Sequence, residues 1–317
     1  MPRRVRPAAV DPLRPDRVDP RAAATRSLPA LAVAAAPVPA QRRPAAVAVR
    51  APASRPVAAA AAAVARRKPF VQGSTLQRVM NVCIIGAGRA GGSLGLALER
   101  VCWSVRFLHR DDDPTAAAHD VDLVVIATPD SVVSTVAGRI KPVETCPVIH
   151  LSGALTLDAL APHRQAGSLH PLVSLPNREI GSERLVGSWM AVAGVGAGEI
   201  AHALRARTFP VADETRTRYH ATAVVASNHL VALLGQVERL ATACGVPFEA
   251  FMALAKGSLD NAADIGPSDA LTGPVARGDW ATVAKHLAVL PTDERDLYSA
   301  LARAAARLAN RPWPDEL

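Results

Sequence analysis

MNVCIIGAGRAGGSLGLALER, residues 80–100, is the stretch that decides the fold. Its first part, Asn81 to Ile85, is a short apolar run of the kind that forms a buried parallel strand. Three glycines follow in the spacing GxGxxG, and apolar residues then recur at helical intervals from Ala90 to Val101. The stretch therefore predicts a strand, a glycine turn and a helix in immediate succession.

Each glycine has its own predicted task in a dinucleotide site. Gly86 permits the tight turn, Gly88 lets the backbone approach a pyrophosphate, and Gly91 lets the helix pack closely on the strand. Free N–H groups at the start of the helix, at Arg89 and Ala90, would face the phosphates together with the positive end of the helix dipole. A glycine turn without a ligand is the alternative, because GxGxxG alone is a weak signal.

Charge is spread unevenly along the 317 residues. Residues 1–79 hold fifteen Arg and Lys against three Asp, and the rest of the chain holds 21 basic and 25 acidic residues. The formal charge of +8 therefore comes from the N-terminal part, and residues 80–317 balance to −4. We expect no nucleic-acid partner for this second part.

Residues 1–79 are rich in Ala, Pro, Arg and Val, and their twelve prolines interrupt any helix or strand. We predict a disordered tail. Met80 stands directly before the first strand, so an over-extended gene start is a second interpretation, and an Arg-rich targeting peptide is a third.

Composition also bears on membranes, metals and compartment. No apolar run reaches the roughly 20 residues that span a bilayer, so we expect no membrane association. The four cysteines are scattered without a CxxC motif, which indicates neither a metal site nor a disulfide framework. The expected location is the cytoplasm.

The second strand, Ser104 to Leu108, ends where a dinucleotide fold selects its cofactor. An acidic side chain there binds the ribose 2′-hydroxyl of NAD, whereas an Arg accommodates the 2′-phosphate of NADP. Arg110 therefore favours NADP(H), and Arg89 can add a second positive group. Solvated surface charges are the alternative, because three aspartates follow Arg110.

Later strand ends provide further candidates at the carboxyl edge, where such sheets bind ligands. Thr128 and Pro129 follow the strand that begins at Leu123 and are predicted to flank the nicotinamide, although they also suit a plain turn. Ser152 and His170 follow the next two strands. His170 is a candidate general acid, with a structural hydrogen bond to a loop as the alternative.

Long, strongly apolar helices are predicted from Thr215 onward, with a stripe wide enough to be buried nearly all round. On a regular helix His220 and Ser227 share one face, and Asn228 lies about 80° from His220. Such polar groups on a buried helix are either structural hydrogen-bond partners or site residues.

The polar segment 261–279 is predicted to be a loop that interrupts these helices. Thr272 and Arg277 have the reach to bind substrate, and the Arg277 guanidinium matches a carboxylate bidentately. A structural Arg277–Asp279 cap before a helix at Trp280 is the alternative.

Several motifs resemble a family of oxidoreductases with a Rossmann-like N-terminal domain and a helical C-terminal domain, domain of unknown function 2520. They are GAGRAGGSLG at 86–95, VVIATPD at 124–130, HLSGAL at 150–155, SLHPL at 168–172, YHATAVVASNHLVAL at 219–233 and ALTGPVARGD at 270–279. The resemblance implies an α/β fold, with a Rossmann-like parallel sheet followed by an all-helical C-terminal domain. It divides the chain into an NADP-binding domain at 80–213 and a helical substrate and dimerisation domain at 214–311.

The resemblance extends to the 6-phosphogluconate dehydrogenase superfamily and implies similarity to ketopantoate reductase and pyrroline-5-carboxylate reductase. The implied activity is NADPH-dependent reduction of a small 2-oxo acid, such as ketopantoate, or an imine, by a homodimer. A non-catalytic NADP-binding redox sensor is the alternative function. Ketopantoate reductases use a lysine on the first interdomain helix, and the corresponding helix here has none, so that mechanism does not transfer.

The expected site residues have separate roles in this activity. His220 or His170 would supply a proton, and Asn228 would orient the substrate. Substrate contacts would come from Ser152, Ser227, Thr272 and Arg277.

Overall fold

The computed structural model describes residues 79–317, so the predicted disorder of residues 1–79 lies, except for its last residue, outside the described part of the chain. Seven strands form one sheet in the order β2-β1-β3-β4-β5-β6-β7. Strands β1 to β5 are parallel, β6 is antiparallel to β5, and β7 is parallel to β6. The strands are β1 Asn81–Ile85, β2 Ser104–Leu108, β3 Leu123–Ile126, β4 Val148–His150, β5 Ala166–Pro171, β6 Trp189–Gly194 and β7 Arg207–Pro210.

Four helices belong to the sheet region and the remaining ones follow it, which confirms the predicted α/β class with a helical C-terminal part. Between β2 and β3 the chain forms only turns and bends, because the connection is too short for a helix and a strand. No helix in residues 79–317 is long and apolar enough to cross a membrane. The helices are α1 Arg89–Arg100, α2 Asp130–Arg139, α3 Arg178–Leu185, α4 Ala197–Ala203, α5 Asp213–Val224, α6 Leu230–Cys244, α7 Phe248–Ile265, α8 Pro267–Ala270, α9 Pro274–Arg277, α10 Trp280–Val289 and α11 Thr292–Leu308.

Alternate residues of each parallel strand face two separate apolar cores. Val82 and Ile84 pack with Leu94 of α1 on one side of the sheet. Cys83 packs with Val133 of α2 on the other side. Because helices cover both faces, the central strands are apolar throughout rather than alternating.

Two predicted segments differ in the structure. The sequence of residues 172–186 indicates a loop, but the structure places α3 there, capped by the Asn177 side chain accepting the Ile180 N–H at 2.9 Å. This helix packs on α1, with Gly181 against Ser93, so a tertiary contact supports it where the sequence pattern is weak. The sequence from Thr156 to Arg164 favours a helix, but the structure has only a 3₁₀ turn at Leu157–Leu160, because Pro162 cannot continue it.

A single long helix links the sheet to the C-terminal helices. It consists of α5, a π-helical segment at Val225–His229, and α6. The predicted all-round burial is wrong for this chain by itself: Val225 is 57% exposed and Val231 is 68% exposed. The described residues cover α6 on one side, where Gln236 donates to the Glu294 carbonyl oxygen at 2.9 Å and Arg239 pairs with the Glu294 carboxylate.

The predicted loop at 261–279 is also partly helical. Its first residues complete α7, and the short helices α8 and α9 follow. Both short helices start with proline at their first position, where the missing N–H costs nothing.

Candidate active site

The glycine loop between β1 and α1 contains three glycines, and each has a different environment. Gly86 has φ +105°, which favours glycine, and its N–H donates to the Leu108 carbonyl oxygen at 2.9 Å. A Cβ at Gly91 would overlap the Gly86 carbonyl oxygen, so only glycine allows this approach of helix and strand. A Cβ at Gly88 would meet nothing within 4 Å. Gly86 therefore forms the turn, Gly91 allows the close packing and Gly88 leaves the backbone open, as the sequence predicts.

The N-terminus of α1 is open to an anion. Gly88 is the N-cap and supplies no side-chain cap, and the first turn contains no acidic residue. The first N–H groups of a helix carry partial positive charge, and they have no partner inside the helix. Arg89 and Ala90 occupy this first turn.

Two arginines beside the loop have free guanidinium groups. Arg89 and Arg110 are exposed, and among the described residues neither guanidinium has a hydrogen-bond or ion-pair partner. Nearby carboxylates are engaged in their own loop: Asp112 accepts the His109 N–H at 2.7 Å, and Asp113 accepts from Thr115. Asp112 and Asp113 therefore leave both arginines available.

Thr128 lies at the end of β3, next to Gly86. Its Oγ1 is buried and has no hydrogen-bond partner in the described structure. An unsatisfied buried hydroxyl costs about 1–3 kcal/mol, so a bound group or water is the usual partner at such a position. Pro129 is exposed and forms the N-cap of α2. The open Gly88 backbone, the uncapped helix and the unpaired Thr128 hydroxyl together fit a dinucleotide.

A second group of residues lies at the ends of β4 and β5, at the start of α2 and on α5. We call it the strand-edge cluster, and it comprises Asp130, His150, Ser152, Gly153, His170, Arg216, Tyr219 and His220.

Ser152 organises the β4 side of the strand-edge cluster. Its Oγ donates to Asp130 Oδ2 at 2.7 Å and accepts the N–H groups of Ala154 and Leu155. Its own N–H donates to His150 Nδ1 at 3.2 Å, which leaves the proton of that ring on Nε2, facing the Thr156 carbonyl oxygen at 3.3 Å. Burial lowers the pKa of His150. Ser152 therefore acts here as a hydrogen-bond junction.

His170 lies at the centre of the strand-edge cluster. Its Nδ1 is 2.6 Å from the Tyr219 hydroxyl, and the two rings meet edge to face. A Cβ at Gly153 would lie 2.9 Å from both His170 Nε2 and His220 Cδ2, so the absence of a side chain there makes room for the two imidazoles. Burial, with His220 adding to the effect, lowers the pKa of His170 to about 4. His170 is therefore neutral at physiological pH.

Arg216 and Tyr219 are members of the strand-edge cluster that the sequence did not reveal. Arg216 is 1% exposed and donates to Asp213 Oδ1 at 3.1 Å and to the Val211 carbonyl oxygen at 3.3 Å. Tyr219 stands next to His220 in the sequence, which was the available signal. Arg216 gave no signal, because its burial depends on where α5 meets the sheet.

The other predicted substrate residues lie apart from His170. Ser227 and Asn228 are exposed in the π-helical segment, where Ser227 Oγ is 2.8 Å from both the Ala223 carbonyl oxygen and Asn228 Oδ1. Regular helix spacing does not extend from His220 to Ser227, because the π-helical segment begins between them. No hydrogen bond within residues 79–317 joins either side chain to the strand-edge cluster.

Thr272 and Arg277 are exposed in and before α9, whose main contacts are with α10 and α11. Asp279 caps α10 by accepting the Thr282 N–H at 3.1 Å. Hydrogen bonds from Thr282, with Arg277 contributing, lower the pKa of Asp279. Within the described residues, no hydrogen bond or ion pair links Arg277 to the strand-edge cluster.

Comparison with known proteins finds one family model that matches part of the chain. Residues 193–305 match the model of a domain of unknown function, DUF2520. This segment runs from β6 into α11 and excludes the glycine loop. No curated protein matches the chain.

Solved structures share the fold across most of the described chain. A protein from Bacteroides fragilis, provisionally assigned as an NADP oxidoreductase, is 18% identical with a TM-score of 0.61, over 72% of this chain and 98% of that chain. Protein TM1727 from Thermotoga maritima is 22% identical with a TM-score of 0.54, over 72% and 98%. A 1-pyrroline-5-carboxylate reductase from Streptococcus pyogenes is 14% identical with a TM-score of 0.51, over 72% and 99%. At these identities the likeness establishes a Rossmann-like fold.

Proposed function

We propose that this chain is an NADP(H)-dependent oxidoreductase that reduces a small 2-oxo acid, such as ketopantoate, or an imine. The glycine loop carries the proposal, because its open Gly88 backbone lies beside an uncapped helix and the unpaired Thr128 hydroxyl. Two proteins with the same fold support this class of reaction: the Bacteroides fragilis protein provisionally assigned as an NADP oxidoreductase and the Streptococcus pyogenes 1-pyrroline-5-carboxylate reductase.

The proposed cofactor is NADP(H), which supplies or accepts hydride when bound. Gly86, Gly88, Ala90 and Gly91 would hold the pyrophosphate at the helix N-terminus. Arg110 and Arg89 would bind the 2′-phosphate, and their unpaired guanidinium groups support this assignment. Thr128 and Pro129 would flank the nicotinamide, where the Thr128 hydroxyl would gain a partner.

The proposed chemistry lies at the strand-edge cluster. His170 and His220 are the candidate proton-handling groups, and Gly153 keeps the two imidazoles close. Ser152 would orient the substrate beside them. The proposed substrate contacts from the helical part are Asn228, Ser227, Thr272 and Arg277. The proposed domains are residues 80–213 and 214–311.

We further propose a homodimer formed by the C-terminal helices. Large apolar side chains are exposed along this region, including Val231 at 68%, Leu254 at 67% and Val289 at 81%. A second copy would cover them, because apolar surface of this extent rarely stays in water on a monomer. All four cysteines are free, which supports a cytoplasmic location.

Fluorescence titration with NADPH and NADH tests the cofactor, and oxidation of NADPH with ketopantoate, other 2-oxo acids and cyclic imines tests the reaction. We expect NADPH to bind more tightly than NADH, and Arg110→Asp to reverse that order. Turnover that His220→Ala abolishes without loss of NADPH affinity would support the reductase. Tight NADPH binding with no turnover would instead indicate a redox sensor, and no binding would contradict the proposed site.

A further inference from the structure

The reduction of a carbonyl or imine requires a proton as well as a hydride, and the geometry of the strand-edge cluster limits which atom can give it. His170 presents two ring nitrogens. Nδ1 is 2.6 Å from the Tyr219 hydroxyl, and Nε2 faces Gly153 and His220 so closely that a Cβ at Gly153 would lie 2.9 Å from it. Nε2 therefore faces Gly153 and His220, whereas Nδ1 contacts the Tyr219 hydroxyl.

We propose that the Tyr219 hydroxyl is the proton donor to the reduced substrate and that His170 reprotonates it through Nδ1. This inference rests on the proposed reductase function and names the acid within it. Tyr219 is suited to the task because it lies on α5, where the helical part meets the strand ends.

The protonation states of Tyr219 and His170 agree with these roles of proton donor and reprotonating group. Burial raises the pKa of Tyr219, so its phenol keeps its proton until the substrate takes it. Burial and His220 lower the pKa of His170, so its imidazole is neutral and can carry one proton on either nitrogen. Arg216 acts on His170 in the same direction as His220, whereas the Asp130 carboxylate opposes them.

His170 changes tautomer in this step, and the proton balance closes when exchange with water returns its proton to Nδ1 before the next turnover. As hydride adds to the substrate carbon and the C=O or C=N π bond breaks, the heteroatom takes the Tyr219 hydroxyl proton. The phenolate oxygen takes the proton from His170 Nδ1, and His170 Nε2 takes one from His220 or from water. The substrate gains one hydride from NADPH and one proton that originates in solvent.

The chain contains a matched control pair. His286 Nδ1 lies 2.7 Å from the Tyr298 hydroxyl, and the rings meet edge to face as in His170 and Tyr219. That pair joins α10 to α11 and is not part of the strand-edge cluster. Tyr298→Phe therefore removes the same type of hydrogen bond without touching the proposed relay.

Nitrogen-15 NMR of the full-length protein reads the tautomer of each imidazole without any substrate. We expect His170 to be neutral at pH 6 with its proton on Nδ1, and Tyr219→Phe to move that proton to Nε2. Tyr298→Phe should change His286 and leave His170 unchanged. A His170 signal that is protonated at pH 6, or that ignores Tyr219→Phe, would overturn the relay.

Steady-state kinetics distinguishes a catalytic role of Tyr219 and His170 from a structural one. The assay uses NADPH and any substrate that is turned over among ketopantoate, other 2-oxo acids and cyclic imines. We expect Tyr219→Phe and His170→Gln to lower kcat about 100-fold with KM and NADPH affinity unchanged, because general acids contribute about that much. His170→Gln keeps a donor toward Tyr219 but cannot exchange protons, so normal activity in this variant would exclude the relay. If the wild-type protein binds NADPH but reduces no probe, the proposed function fails and the relay with it. Wild-type turnover that Tyr219→Phe preserves refutes the relay alone.

Discussion

Gly88 and Gly91 lie three residues apart, yet the same substitution should affect them differently. Gly88 has φ −68° and open space around it, so Gly88→Ala should leave stability unchanged and weaken NADPH binding about tenfold or more by occupying the phosphate approach. Gly91→Ala would drive a Cβ into the Gly86 carbonyl oxygen and should cost about 1–3 kcal/mol of unfolding free energy. Thermal unfolding and NADPH titration of both variants measure the difference, and equal Tm losses would contradict it.

His170 should make folding stability depend on pH. Its pKa is about 4 in the folded chain against an ordinary value of 6.5, so the unfolded chain takes up a proton first as pH falls. Stability is therefore full above pH 6.5 and is lost as pH falls from 6.5 toward 4, by at most about 1.4 kcal/mol per pH unit for one proton. Urea unfolding at pH 7 and pH 5 should show a smaller loss for His170→Gln than for the wild type. Burial also lowers the pKa of His150, so the variant should retain part of the slope.

At the scale of elements, variants in α9 and before α10 test two interpretations of Arg277. It either binds a substrate carboxylate or forms a structural cap with Asp279. Asp279 caps α10, so Asp279→Ala should lower the free energy of unfolding by about 1 kcal/mol. Arg277 is exposed, and Arg277→Ala should leave stability nearly unchanged while raising KM for a carboxylate substrate. If Arg277→Ala instead lowers Tm as much as Asp279→Ala and leaves KM unchanged, Arg277 is structural.

Sequence patterns predicted the elements whose residues carry their own signal. Strands β1 to β3 and helix α10 begin at the residues that the sequence predicts, because apolar runs, turns and an Asp cap define them locally. Helix α3 was missed because its support is the contact with α1. Tyr219 and Arg216 were missed for a similar reason, since the His170–Tyr219 bond joins residues 49 positions apart.

At the scale of the whole molecule, the exposed apolar face of the C-terminal helices predicts assembly. Sedimentation or light scattering should give twice the chain mass for the wild-type protein. Val231→Asp and Leu254→Asp should shift the protein to monomer, because each would place a carboxylate in the covered surface. Val132→Asp, on the exposed side of α2 where Val132 is 40% exposed, is the control and should remain dimeric. A monomeric wild-type protein would contradict the proposed homodimer.

The π-helical segment at Val225–His229 fixes how the two halves of the long helix are turned relative to each other. Each added residue advances an α-helix by about 100°, so the irregular turn lets α5 and α6 aim their faces independently. If the same residues formed a regular α-helix, everything beyond the segment would be rotated by roughly a quarter of a circle, because a π-helical turn takes about one residue more than an α-helical turn. Tyr219 would keep its place beside His170, while Gln236 and Arg239 would swing away from Glu294. The π-helical segment therefore sets the orientation of the proposed proton donor on α5 relative to the proposed dimer surface on α6.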